Sequence, residues 1–113
     1  MIRPILVLLA AVSLLAERPA LEFEVRWDNP PAAAMPRGCS HHLLHSQSMK
    51  RDAGWNIYLP PGYETGTARY PVIYWLHGAG GDESSGVSVA AELEKAITSG
   101  QIPPAILVFP NGG

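Results

Sequence analysis

Five consecutive residues near the middle of the chain, His77-Gly78-Ala79-Gly80-Gly81, have the composition of a site. Glycine lets the backbone turn freely and lets a ligand approach main-chain N–H groups closely. The chemistry that most often uses such a loop is stabilisation of an anion by backbone donors. A second loop of similar make-up, Pro110-Asn111-Gly112-Gly113, stands at the end of the sequence. Three other groups carry reactive residue types. Gly86-Val87-Ser88-Val89-Ala90 approximates Gly-x-Ser-x-Gly, the surroundings of a nucleophilic serine, with alanine in the last place. Such an elbow follows a buried strand directly. Here Ser84-Ser85 precede it, so Ser88 is read as a residue in the first turn of a helix. His41, His42 and His45 have the types of metal ligands, but on a strand His41 and His45 lie about 13 Å apart, too far to share an ion. They are read as strand surface residues, and no metal or other cofactor is expected. Cys39 is the only cysteine, which excludes an intrachain disulfide; it is read as a partly buried thiol.

The elements that must position these residues are set by two apolar runs. Val72–Leu76 leads straight into His77, and Ala105–Phe109 leads into Pro110. Both are rich in β-branched or aromatic residues and are uninterrupted, the pattern of a strand buried on both faces. Pro71 fits the start of the first, where a missing N–H is tolerated. Between them, Asp82-Glu83-Ser84-Ser85 supplies acidic and capping residue types ahead of a helix predicted over Val87–Ser99. Val89, Leu93, Ala96 and Ile97 share one face of it. Gly100 is placed as its C-terminal cap, with Pro103-Pro104 beyond. Strand, helix, strand makes a unit whose two strands run parallel with a right-handed crossover. Ligands of such sheets sit beyond the carboxyl ends of the strands, and both glycine loops fall at that end.

Upstream, Ser40–Met49 and Trp55–Leu59 read as two strands of an antiparallel hairpin, joined by a polar turn at Lys50–Gly54. In the second, Trp55, Ile57 and Leu59 point one way and Asn56 and Tyr58 the other. Pro60-Pro61-Gly62-Tyr63 ends it. Asp28–Gly38 is Pro/Ala-rich without periodicity and reads as a linker. Leu21–Trp27 alternates apolar and charged residues, as an edge strand or extended arm does. At the front, Arg3 precedes Ile5–Ala16, an apolar stretch that suits the core of an export signal and is shorter than the roughly 20 residues of a membrane span. The expected organisation is therefore a signal at 1–16, an arm and linker at 17–38, and a domain over 39–113, exported to a periplasmic or extracellular space.

The sequence has 113 residues, is 47% hydrophobic and 16% charged, and carries a net charge of −2. That describes a globular chain. It gives no electrostatic reason to expect a nucleic acid or an anionic membrane as partner.

Three segments taken together, WNIYLPPGY, RYPVIYWLHGAGGDE and IPPAILVFPNGG, resemble the opening of the putative-esterase branch of the α/β-hydrolase superfamily. The likeness runs from about Ser40 to Gly113, with the motifs in the family's order and spacing. It implies an α/β fold: the N-terminal portion of an α/β-hydrolase sheet, a hairpin followed by a β-α-β unit, incomplete. A complete core of that type takes on the order of 200 residues. The resemblance also implies that the backbone N–H of Ala79, or of Gly80 one residue on, is one of the two donors of an oxyanion hole. His77, Gly78 and Gly81 shape the loop beside the substrate, and Asn111 lines the cleft from the second loop, although a plain Asn-Gly turn explains Asn111 equally well. The family's chain order is nucleophile, acid, histidine. His77 precedes any nucleophile and is therefore a structural residue able to hydrogen-bond within the loop. No Gly-x-Ser-x-Gly occurs in the sequence. The implied activity is that of an exported serine esterase acting on a small-molecule or carbohydrate ester, with this chain alone inactive. Two other readings stay open: an acyltransferase of the same fold, and a non-catalytic carbohydrate- or protein-binding module using Trp27, Trp55, Tyr58, Tyr63 and Trp75.

Overall fold

A computed structural model describes residues 24–113. The expected signal, residues 1–16, and residues 21–23 of the alternating segment at 21–27 lie outside the described residues; its described part, 24–27, forms no strand. Five elements follow in order: β1 (Cys39–Ser46), β2 (Arg51–Tyr58), β3 (Val72–Tyr74), α1 (Val89–Thr98) and β4 (Ile106–Pro110). They form one four-stranded sheet in the order β1-β2-β4-β3. β1 pairs antiparallel with β2, and β2 antiparallel with β4. β3 and β4 are parallel, as a strand-helix-strand unit requires.

The register divides the sheet into two faces. Tyr58 pairs with Leu107, Asn56 with Phe109 and Ile73 with Leu107, so these side chains share the face that α1 covers. There Tyr58, Leu107 and Phe109 pack with Val87 and Ala90, and Val89, Leu93 and Ile97 close the layer from the helix. The helical face read from the sequence is the one that packs. The opposite face holds Trp55, Ile57 and Val108, with Leu44, Val72 and Tyr74 exposed.

Four expectations are corrected. The hairpin turn is at Gln47–Lys50, not Lys50–Gly54. Lys50 takes the left-handed conformation that closes the turn (φ 52°), and Gly54 is a strand residue opposite Leu43. The run Val72–Leu76 is not buried: β4 takes the place between β2 and β3, so β3 is an edge strand among the described residues, and all five residues are exposed there. The helix start has no side-chain cap. Asp82 accepts instead from Ser84 N–H, and Ser85 Oγ from Asp82 N–H, tying up the turn that precedes it. The Pro/Ala segment is no free linker: Ala32 and Met35 pack against the core, and Cys39 N–H bonds Pro36 C=O.

The helix end and the end of β2 match the residue types. Gly100 has φ 75°, its N–H bonds Ile97 C=O, and Gln101 N–H bonds Ala96 C=O, a Schellman closure. Pro61 and Gly62 (φ 87°) fill the central positions of a turn closed by Tyr63 N–H on Pro60 C=O.

Candidate functional site

β3 and β4 end side by side because they are parallel, and the loops that follow them meet. Trp75 N–H still bonds Val108 C=O, and from there the chain leaves the sheet into His77. The imidazole of His77 joins the two loops. Its Nδ1 lies 2.9 Å from Gly78 C=O, and its Nε2 lies 3.0 Å from Gly112 N–H. A carbonyl accepts and an amide donates, so these partners define a neutral ring with the proton on Nδ1. The structural role expected of His77 is thus taken up by a brace between the loops.

Gly78–Gly81 is a β-turn closed by Gly81 N–H on Gly78 C=O at 3.0 Å. Gly80 occupies its third position with φ 75°, the conformation a type II turn demands there. The turn leaves the N–H groups of Ala79 and Gly80 with no acceptor among the described residues. Ala79, Gly80 and Gly81 line a cleft of about 190 Å³, together with Asn111 and Gly113; Glu24, Val25 and Arg26 of the N-terminal arm also line it. An adjoining hollow of about 220 Å³ is bordered by Leu76, His77 and Gly112. Of the residues singled out from the sequence, Ala79, Gly80, Gly81 and Asn111 share this cleft, His77 borders the adjoining hollow, and Gly78 lines neither. Gly78 itself is exposed and touches nothing that a side chain there would meet.

Behind the turn lies a polar cluster with no counterpart in the sequence reading. Glu83 is completely buried. Its Oε1 accepts from Asn29 N–H (3.1 Å); its Oε2 accepts from the amides of Asn29 (3.0 Å) and Asn111 (2.8 Å). Its own C=O accepts from Asn56 Nδ2 at 2.8 Å. Asn111 spends its second amide hydrogen on Arg26 C=O (2.7 Å), and its Oδ1 accepts from Gly113 N–H. Asn56 Oδ1 accepts from His41 Nδ1. Gly54 completes the cluster: its N–H bonds Trp27 C=O, its C=O accepts from Asn111 N–H, and a Cβ there would collide with the Glu83 carboxylate. A glycine inside a strand signals such a close approach; that was the one trace in the sequence.

The remaining chemistry-bearing residues are apart from the cleft. Ser88 is exposed at the start of α1, and turns rather than a strand precede it. His42 stacks on Trp55, and His45 bonds Asp52 at 2.7 Å. Among the described residues no group of three His, Cys, Asp or Glu could hold a metal ion. The Cys39 thiol is pushed from 9.0 up to about 11 by burial, with Glu94 adding repulsion, which keeps it protonated at neutral pH. No helix among the described residues is long and apolar enough to cross a membrane.

A mixed sheet with one covering helix and two loops meeting at the carboxyl end of its parallel strands is part of an α/β-hydrolase fold. The model of the Putative esterase family matches residues 46–113, and the chain belongs to that family. It is 39% identical over 64 residues to an endo-1,4-beta-xylanase Y of Acetivibrio thermocellus, an alignment that takes in 51% of this chain and 6% of the xylanase. It is 37% identical over 73 residues to an esterase of Mycobacterium tuberculosis, covering 65% of this chain and 15% of that esterase. Among solved structures, a ferulic acid esterase superposes with a TM-score of 0.63 at 25% identity, covering 66% of this chain and 31% of the other. The ferulic acid esterase of Anaeromyces mucronatus, in complex with ferulic acid, superposes at 0.59 and shares the fold at 24% identity, covering 75% and 32%. The chain thus spans about a third of the length of these structures and a smaller share of the two relatives aligned by sequence.

Proposed function

We propose that the chain is the oxyanion-loop portion of an exported serine esterase that cleaves carboxylic esters, with feruloyl or other acyl esters of carbohydrates as the substrate class. The observation that carries this is the pair of N–H groups at Ala79 and Gly80, without acceptors among the described residues, in a hydrogen-bonded turn that lines a cleft. Attack of a serine hydroxyl on the ester carbonyl moves an electron pair onto the carbonyl oxygen. A preset donor at Ala79 or Gly80 stabilises that charge, and removing one such donor raises a barrier by about 3 kcal/mol. The intermediate then expels the alcohol, and water hydrolyses the acyl-enzyme. His77 acts as a brace in this scheme: both ring nitrogens are engaged with backbone groups. Gly78 and Gly81 shape the turn, and Asn111 fixes the neighbouring wall. The nucleophile, its histidine and its acid come from residues other than those described above, and residues 1–16 direct export. The protein expressed from its complete reading frame is expected to hydrolyse 4-nitrophenyl esters and to gain the mass of one phosphonyl group from a serine-directed phosphonate, with loss of activity. The excised 113 residues are expected to do neither. Turnover by the excised chain that disappears in Ser88→Ala would overturn the assignment.

A further inference from the structure

The N-terminal arm carries three of the residues that line the cleft, and a buried carboxylate behind the turn holds the arm there. Glu24, Val25 and Arg26 line the cleft with Ala79, Gly80 and Gly81. Nothing in the arm's sequence predicts this, since residues 24–29 form no strand or helix. The arm's hold is polar. Asn29 gives its backbone N–H and one amide hydrogen to the two oxygens of Glu83. Its other amide hydrogen goes to Arg26 C=O (2.9 Å), which also accepts from Asn111. Trp27 C=O accepts from Gly54 N–H, and the Trp27 ring packs on Gly113 with the Arg51 guanidinium 5.5 Å from its centroid. Glu83 itself is two residues past the turn.

We propose that Glu83 is a positioning residue that clamps residues 24–29 beside the glycine turn, and that the clamped arm is a specificity-determining wall for the acyl group of the ester. Burial of a carboxylate has to be offset by several hydrogen bonds, and here three neutral donors from two segments supply them. A chain satisfied in that way holds one geometry, because losing either asparagine leaves charge buried and short of donors. The wall matters to a bulky acyl group and little to a small one. An acetyl methyl needs only the donors at Ala79 and Gly80. A feruloyl ring must lie along the cleft against the arm. This inference rests on the esterase reading, and its test separates the two.

The experiment uses the protein from its complete reading frame, with Asn29→Ala and Glu83→Gln as variants. Asn29→Ala removes both side-chain bonds of the half-buried Asn29, to Glu83 Oε2 and to Arg26 C=O, and keeps the backbone bond to Glu83 Oε1. Glu83→Gln keeps the shape but must set an N–H₂ group against one of the donors. Exchange at the residue-29 N–H and at Gly54 N–H, the two backbone donors that hold the arm, is expected to speed up at least about tenfold relative to their intrinsic rates in both. The ratio of kcat/KM for 4-nitrophenyl ferulate to that for 4-nitrophenyl acetate is expected to fall at least about tenfold, through KM for the ferulate. The shared leaving group makes that ratio a report on the acyl side. Unchanged exchange at residue 29 and Gly54 in Asn29→Ala overturns the clamp, and equal losses on both esters overturn the wall. Should Glu83→Gln fail to fold, Asn29→Ala decides alone. Should the wild-type protein hydrolyse neither ester, the esterase reading and the acyl wall both fail, and exchange still decides whether the clamp exists.

Discussion

Two stretches of this chain are nearly interchangeable as sequence and opposite as structure. Val72–Leu76 and Ala105–Phe109 are both five-residue apolar runs ending in a glycine-rich loop. In the second, Ala105, Leu107 and Phe109 are at most 5% exposed; in the first, every residue is at least 40% exposed. The difference comes from order in the sheet. β4 has a neighbour on each side, β2 and β3, and α1 over one face, while β3 has one neighbour and a free edge among the described residues. An apolar run states that a strand can be buried; the strands beside it decide whether it is. The two loops differ in the same sense. The one after β4 is tied down by Asn111, whereas the one after β3 has two N–H groups, of Ala79 and Gly80, with no acceptor among the described residues.

The largest effect expected from this contrast is in the core. Phe109→Ala should lower the unfolding free energy by about 3–5 kcal/mol, and Ile73→Ala on the same sheet face by about 1 kcal/mol. Equal losses in urea denaturation would mean that β3 is as enclosed as β4. Next comes the clamp. Gly54→Ala drives a methyl group into the Glu83 carboxylate, and a cost of about 1–3 kcal/mol is expected, with faster exchange at Asn111 N–H. A neutral result would show that the cluster gives way easily. At the exposed edge, Tyr74→Lys should change stability by less than about 0.5 kcal/mol while reducing self-association in sedimentation, because a charged edge resists pairing with another chain. A large destabilisation would place Tyr74 against residues outside 24–113. The smallest effect is at high pH. The folded chain holds the Cys39 proton more tightly than the unfolded chain does, so this contribution is complete below about pH 9 and is lost as the pH climbs through about 11. Alkaline denaturation of Cys39→Ala should begin later; coincident curves would contradict the burial of the thiol.

The parallel unit was readable because its signals are local and redundant: two apolar runs, a helical stripe, a glycine cap, and glycine loops at one end. The errors fall where a residue type has two uses. Gly54 resembles a turn residue, but it is a strand position kept bare for Glu83, and this draws the predicted hairpin turn several residues past its true place at Gln47–Lys50. Asp82 and Ser85 resemble helix caps and bond within the preceding turn instead. Glu83 resembles a solvent-facing acid ahead of a helix, and its burial depends on Asn29 and Asn111, 54 positions before it and 28 after it. No local pattern encodes that meeting. For the same reason the Pro/Ala stretch looked like a tether, although Ala32 and Met35 pack on the core. His77, Ala79, Gly80 and Asn111 are legible as candidates, but the link between the two loops through His77 is not.

The central claim, that the free backbone donors after β3 stabilise an oxyanion, has a direct test in Ala79→Pro. Ala79 is the second residue of the turn, where proline's fixed φ fits, and Gly78 before it tolerates the restriction. The substitution removes one N–H and leaves the turn in place. In the protein from its complete reading frame, kcat for 4-nitrophenyl acetate should fall by about 10²–10³-fold, with KM little changed and the melting temperature within about 3 °C of wild type. Undiminished kcat in a folded Ala79→Pro would contradict the assignment of the oxyanion donor to Ala79.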